Sequence, residues 1–237
     1  MKSTPLVSER RKRGFTLTEL LVVTAVIGIL ASASGPLLSS LLGAGNANRA
    51  ICGASSILDL GRQYAVSNNT YTWVVFASNP TPGSGSSLYA VILGSKDGSN
   101  TSDGVAAVDL DAGGTYDLGS TSSNLFAIQK VEAYRGVQLG TLSQSPSPAT
   151  PTPVGPNAKV SFKFSSANAE GDVYLNSHPS AQRVVQFSPN GQSLIAASMS
   201  QVIELGLQGM KGVALDPNDV VAIQVNGFTG QTRVYRK

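Results

Sequence analysis

One cysteine and one histidine stand in 237 residues, and charged residues make up only 13% of the chain. The lone thiol, Cys52, rules out an internal disulfide. Its position on a helical stretch reads as a small packing residue rather than a reactive group. The lone imidazole, His178, rules out a zinc site built on several histidines. A Ser-His-Asp triad would have to use His178, which sits in the turn signal Asn176-Ser-His-Pro179. No glycine-rich phosphate loop ending in Lys-Ser/Thr is present. These absences lead to the expectation of a non-enzyme with no cofactor and no metal.

Charge is missing most conspicuously from one place. Between Leu20 and Asn48 there is no charged residue, a run long enough for one membrane-spanning helix of about 20 residues. Ahead of it lie Arg10-Arg11-Lys12-Arg13-Gly14-Phe15-Thr16-Leu17-Thr18-Glu19. Lys2 and the four basic residues against Glu9 give the leader four net positive charges. The formal +3 of the whole chain therefore becomes −1 from Phe15 onward. The mature chain has no global drive toward polyanions, and the basic cluster holds its own end in the cytoplasm. Glu19, a lone acid at the lip of an apolar run, is costly to bury and asks for a partner. A free amine on Phe15 would be opposite in charge and four positions away, able to pair within one chain or across a seam between chains. Two other readings of this end stay open. One is a secretory signal with Ala31-Ser32-Ala33 as its small-residue cleavage site; the other is an uncleaved anchor.

Gly14-Phe15-Thr16-Leu17-Thr18-Glu19, the apolar run and Pro36 beyond it resemble the N-terminal signature of type IV pilins and pseudopilins. The resemblance covers about the first quarter of the chain. It implies cleavage after Gly14 by a prepilin peptidase, methylation of the new amine on Phe15, and pairing of Glu19 with the terminal amine of a neighbouring subunit during filament assembly. It also implies an inner-membrane assembly platform and other pilin or pseudopilin subunits as partners. Many major pilins close a C-terminal loop with a disulfide, and this chain departs from them.

The chain divides into a leader, 1–14, a membrane and amphipathic stalk helix, 15–69, and a β-rich globular domain, 70–237. A helix over 15–69 would extend about 80 Å. Its first half is apolar on every side. In its second half Ile51, Ala54, Leu58, Tyr64 and Ala65 fall near one face, with Arg49, Asp59 and Arg62 available to water. Gly35-Pro36 and Gly43-Ala44-Gly45 are points where it could kink, and Asn68-Asn69 ends it. Strands are expected from Tyr71 to Ser78, Ser87 to Leu93, Leu125 to Tyr134, Val137 to Leu142, Ala158 to Phe164 and Asp172 to Leu175. Others run from Arg183 to Phe187, Ser193 to Ala197, Val220 to Val225 and Thr232 to Tyr235. Ser188-Pro-Asn-Gly191 and Asn226-Gly-Phe-Thr-Gly230 are their turns. The Pro/Ser/Thr-rich stretch 143–157 reads as extended, solvated surface loop within the domain. Asp97, Asp103, Asp109, Asp111 and Asp117 read as a solvated acidic loop without calcium-loop spacing.

The helix-to-strand junction (Leu60-Gly-Arg-Gln-Tyr-Ala-Val-Ser-Asn-Asn69, then Tyr71-Thr-Trp-Val-Val-Phe76) is similar to that of H-type minor pseudopilins of type II secretion and FimT-like minor pilins. Phe187-Ser-Pro-Asn-Gly191 and Val225-Asn-Gly-Phe-Thr-Gly230 are similar to their late strands. The whole layout most resembles the pilin-like D member of the Verru_Chthon cassette. The fold expected is α+β, a long N-terminal helix packed on a C-terminal antiparallel β-rich domain. The function expected is a non-catalytic minor pilin or pseudopilin. Its N-terminus would be cytoplasmic, its helix single-pass in the inner membrane and its domain periplasmic or extracellular. The alternative is a pilus-associated binding module for adhesion or DNA uptake. The DNA reading rests on the basic Arg233, Arg236 and Lys237, too few charges for strong phosphate binding alone.

Overall fold

A computed structural model describes residues 16–79, 87–100, 108, 110, 113–140, 142, 145–147, 150–155, 160–164, 170–196, 198–211 and 214–236; of 33–44 and 46 it describes the helical backbone alone. Gly14, Phe15, Lys237 and three of the loop aspartates (Asp103, Asp109, Asp111) lie outside the described residues. The protein is α+β and divides into two compact units between Leu41 and Leu42.

Helix α1 spans Leu17–Ser67, uninterrupted at Pro36 or at Gly43-Ala44-Gly45. It stops where the sequence places its punctuation. Asn69 adopts φ 48, a left-handed conformation that asparagine tolerates. The Thr70 N–H donates to Ala65 O (3.0 Å) and the Asn69 N–H to Val66 O (3.4 Å), so two terminal carbonyls find partners in a Schellman arrangement. Between Ala47 and Ala65 the buried residues Ala47, Ala50, Ile51, Ala54, Ile57, Leu58 and Ala65 recur at helical spacing and form one face. Cys52 is exposed, not packed, because its position falls off that face.

Among the described residues three sheets form. The first is built from β1 (Thr72–Ser78), β2 (Ser87–Ser95), β4 (Leu125–Ala127), β5 (Glu132–Arg135), β9 (Arg183–Phe187) and β10 (Ser193–Leu194), with β1 between β2 and β9. Alternate residues of β1 go to two different cores. Val74 and Phe76 join the helix face, whereas Trp73, Val75 and Ala77 pack with Phe162, Tyr174 and Leu175 on the far side. Burial on both faces explains why these strands read as unbroken apolar runs. The far side is covered by α2 (Glu170–Ser177) and by a parallel pair, β3 (Gly114–Asp117) with β8 (Val160–Lys163). The expected strand at Asp172 to Leu175 is therefore corrected to helix. Tyr174 and Leu175 are both buried while Val173 is half-exposed, a helical rather than an alternating pattern. The single strand expected over Leu125 to Tyr134 is two short ones, β4 and β5, pairing with opposite ends of β2.

The second sheet runs β13 (Thr232–Arg236), β12 (Ala214–Asn226), β11 (Val202–Lys211), β6 (Val137–Gly140), with β7 (Thr152–Pro153) parallel to β11. Ile203, Leu205, Leu207, Val221, Ile223 and Val225 turn inward and share the core of α1 and the first sheet. The reverse face carries a polar row across three strands, Glu204 opposite Gln224 opposite Arg233. The described parts of the Pro/Ser/Thr-rich stretch, 145–147 and 150–155, touch this sheet while staying largely at the surface: Thr152 and Pro153 are exposed and only Val154 is buried. The Ser145 hydroxyl donates to Glu204 Oε2, the Ser147 hydroxyl to Gln224 Oε1 (3.0 Å), and the Val154 N–H to Glu204 O (2.7 Å). Glu204, Gln224 and Val154 are consequently buried. Arg183, buried in the first sheet, donates from Nη1 to Val154 O (3.0 Å) in this stretch and to Gly140 O (3.2 Å) at the end of β6, tying both to the first sheet.

Candidate functional site: the start of the N-terminal helix

The first turn of α1 is closed by a reciprocal cap. The Thr16 N–H donates to Glu19 Oε2 (2.9 Å) and the Thr16 hydroxyl donates to the same oxygen (2.8 Å). In return the Glu19 N–H donates to Thr16 Oγ1 at 3.3 Å. This is the capping box Thr16-x-x-Glu19, in which each of two otherwise orphaned N–H groups donates to the other residue's side-chain oxygen. A carboxylate here also complements the positive end of the helix dipole. Both bonds to the carboxylate converge on Oε2, and Oε1 takes neither of them. Reading for a charge partner singles out Glu19 and misses Thr16; the spacing Ser/Thr-x-x-Glu is the signal that identifies it.

Next to this carboxylate stands a sleeve of uncovered hydrocarbon. Nine large apolar side chains from Leu17 to Leu30 keep about half or more of their surface open, from 49% for Val26 to 82% for Leu17. Leu20, Leu21, Val22 and Val23 are consecutive, so the exposure runs around the whole helix. Covering one such side chain fully is worth about 1.5–3 kcal/mol, so covering these nine would release on the order of 10 kcal/mol. The few hydroxyls present spend themselves on their own helix. Thr24 donates to Leu21 O (2.9 Å) and Ser32 to Ile29 O (2.8 Å), leaving little polar demand for water to meet. Among the described residues, no helix is long and apolar enough to cross a membrane.

Of the C-terminal basic residues, Arg233 and Arg236 stand on opposite faces of β13. Arg236 lies on the inner face of β13, paired with Asp219 Oδ1 at 2.7 Å and donating to Asn48 Oδ1 on the helix. Arg233 stands on the opposite face, opposite Gln224, and is exposed. Arg236 thus works inside the domain, holding β13 to β12 and to α1. Arg62 does the same at the other end of the contact, its Nε–H donating to Thr229 O (2.6 Å) in the terminal hairpin.

The remaining candidates are equally committed. His178 stacks on Tyr174 (4.3 Å between centroids), which stacks on Tyr89 (4.9 Å). Asp97 accepts from the Ser99 N–H (2.8 Å), both serine hydroxyls of Ser95 and Ser99, and Asn124. Those donors, Ser99 and Asn124 foremost, hold its carboxyl far below the usual carboxylate range. Asp117 accepts from the Gly119 N–H at 2.8 Å. Among the described residues no group of three or more His, Cys, Asp or Glu side chains is placed to hold a metal ion.

Residues 10–35 match the family model described as the prokaryotic N-terminal methylation motif. No curated protein matches the chain. No solved structure matches it either. The matched segment spans the basic cluster, Gly14-Phe15, the capping box and the uncovered sleeve, and supports reading this end as a type IV pilin/pseudopilin signal.

Proposed function

We propose that this chain is the precursor of a minor pilin or pseudopilin whose work is assembly rather than catalysis. A prepilin peptidase cuts between Gly14 and Phe15 and methylates the Phe15 amine. The uncharged run from Leu20 to Asn48 holds the subunit in the inner membrane, basic end in the cytoplasm, until it passes into a pilus or a type II secretion pseudopilus. The observation that carries this reading is the overlap of the methylation motif with a helix whose apolar side chains have no cover of their own. Lipid first, and neighbouring helices later, are the covers that such a sleeve accepts.

Glu19 serves as the register device. Its Oε2 stays with Thr16 while Oε1 receives the amine of an adjacent subunit. An ion pair across an apolar seam adds little net stability, but a missing partner is heavily penalised, which favours one stagger over others. The test is complementation of a deletion strain with Glu19→Ala and Glu19→Gln, scoring processing and incorporation into sheared fibres separately. Both variants should be processed, and both should be depleted from fibres. Undiminished incorporation of Glu19→Ala would refute the role of the carboxylate.

A further inference from the structure

A cleft of about 470 Å³ opens where α1 hands the chain to β1, lined by Tyr64, Asn68, Asn69, Lys96, Asp97 and Phe126 with the backbone around Gly98. Its size falls within the roughly 300–1,000 Å³ of small-molecule sites. From these groups we infer that the cleft binds a neutral carbohydrate. The inference does not depend on filament assembly.

Three features favour this ligand class. Tyr64 and Phe126 are half-buried and packed edge to face (centroids 6.3 Å apart, planes at 64°), giving the cleft a partly open aromatic surface of the kind that accepts the C–H face of a sugar ring. Around it stand hydrogen-bonding groups of both senses. Asn68 uses its amide N–H₂ on Tyr64 O (3.1 Å) and Ser67 Oγ (3.1 Å), which leaves its carbonyl oxygen as an acceptor. Among the described residues the four bonds to Asp97 end on Oδ1, which points to Oδ2 as a second acceptor. Lys96 donates one proton to Ser123 O (2.7 Å) and keeps two more. Finally, Lys96 and Asp97 are adjacent and opposite in charge. Their fields cancel at a distance, which disfavours phosphates and other strong anions, while each still hydrogen-bonds a hydroxyl.

The cleft is also set in advance, which lowers the ordering cost of binding. Asn69 at φ 48 and Gly98 at φ 78 back onto each other, a Cβ on Gly98 coming within 3.2 Å of Asn69 O. The four donors on Asp97 Oδ1 fix the turn that carries Lys96. Thr70 joins the two walls, its hydroxyl donating to Ser95 O at 2.9 Å.

The full-length chain in detergent micelles would be titrated by calorimetry with tri-N-acetylchitotriose and with cellotriose. Asn68→Ala removes the side-chain acceptor, and Phe126→Leu removes half of the aromatic surface; thermal melts establish that both fold. The expected result is saturable binding of at least one sugar, weakened about tenfold by each variant, the scale of one good hydrogen bond or ring contact. Preference for the acetylated sugar points to wall-type amino-sugar glycan as the source, and preference for cellotriose to a plain glucan. No saturable binding of either sugar up to about 10 mM, or equal binding by folded variants and parent, overturns the inference.

Discussion

Gly61 is buried in α1 where the helix meets the first sheet, and alanine there should destabilise the protein even though alanine is the better helix former. A Cβ at Gly61 would lie 2.6 Å from Val74 Cγ2, on a β-branched side chain in the middle of a strand that cannot swing away. The Thr72 hydroxyl, donating to Gly61 O at 2.9 Å, holds the two backbones at that spacing. Alanine gains about 0.8–1.0 kcal/mol of helix propensity over glycine, and overpacking a tight contact costs about 1–3 kcal/mol. The net is a loss of up to about 2 kcal/mol. Gly45, in the same helix, has nothing within 4 Å of its Cβ position, so Gly45→Ala keeps the whole gain. Thermal melts of the two variants followed by circular dichroism should shift in opposite directions, up by about 2–4 °C for Gly45→Ala and down by up to about twice that for Gly61→Ala. Equal upward shifts would mean that α1 does not press on the sheet as described.

Thr16→Val removes the cap and should cost about 0.5–2 kcal/mol at the first turn, read as faster amide exchange at Leu17 to Glu19; unchanged exchange would deny the capping box. Tyr134 lies largely out of water and its hydroxyl donates to Glu132, burial first and that bond second raising its pKa above the ordinary 10.0. The stabilisation is fully present below pH 10 and is lost as the pH rises through the higher folded value. Urea midpoints at about pH 8 and pH 11 should therefore differ more for the parent than for Tyr134→Phe, and equal differences would contradict the assignment. Arg236→Met should cost no more than about 1 kcal/mol, since the Arg236 side chain is 44% exposed although it reaches Asp219 on the inner face, and it should leave DNA retention on a low-salt column unchanged. A marked loss of retention would restore the basic terminus as a nucleic-acid contact.

The helix and the outer strands were legible from residue patterns because one principle dominated at each. The buried face from Ala47 to Ala65, the stop at Asn69, the β1–β2 pair and the terminal hairpin all follow from periodicity and turn chemistry. β11 escaped notice, although Ile203, Leu205 and Leu207 alternate cleanly with Glu204, Gly206 and Gln208. Its two glycines and three polar or charged residues mask a strand whose outer face is partly covered by the Pro/Ser/Thr-rich stretch. That cover is tertiary: nothing local to Ser145 or Ser147 indicates that a buried glutamate waits 59 residues further on. The short helix α2 escaped for a related reason. Its eight residues give too little period to separate helix from strand.

At the N-terminus the legible and the illegible divide along similar lines. Glu19 announces itself as the lone acid beside an uncharged run, and the capping partner Thr16 is implied by spacing alone. The C-terminal arginines look like one basic cluster in the sequence. Strand alternation sends Arg233 and Arg236 to opposite faces, where one meets solvent and the other Asp219 and Asn48. Proximity in sequence says little about shared surface in a strand.

The start of the mature polypeptide is the most direct measurement of whether this is a processed pilin-type subunit. The full-length gene product would be expressed with an active prepilin peptidase, purified from membranes and analysed by intact-mass and N-terminal peptide mass spectrometry. The expected first residue is N-methylated Phe15. A chain that still begins at Met1, or one that begins at Ser34, would contradict the account.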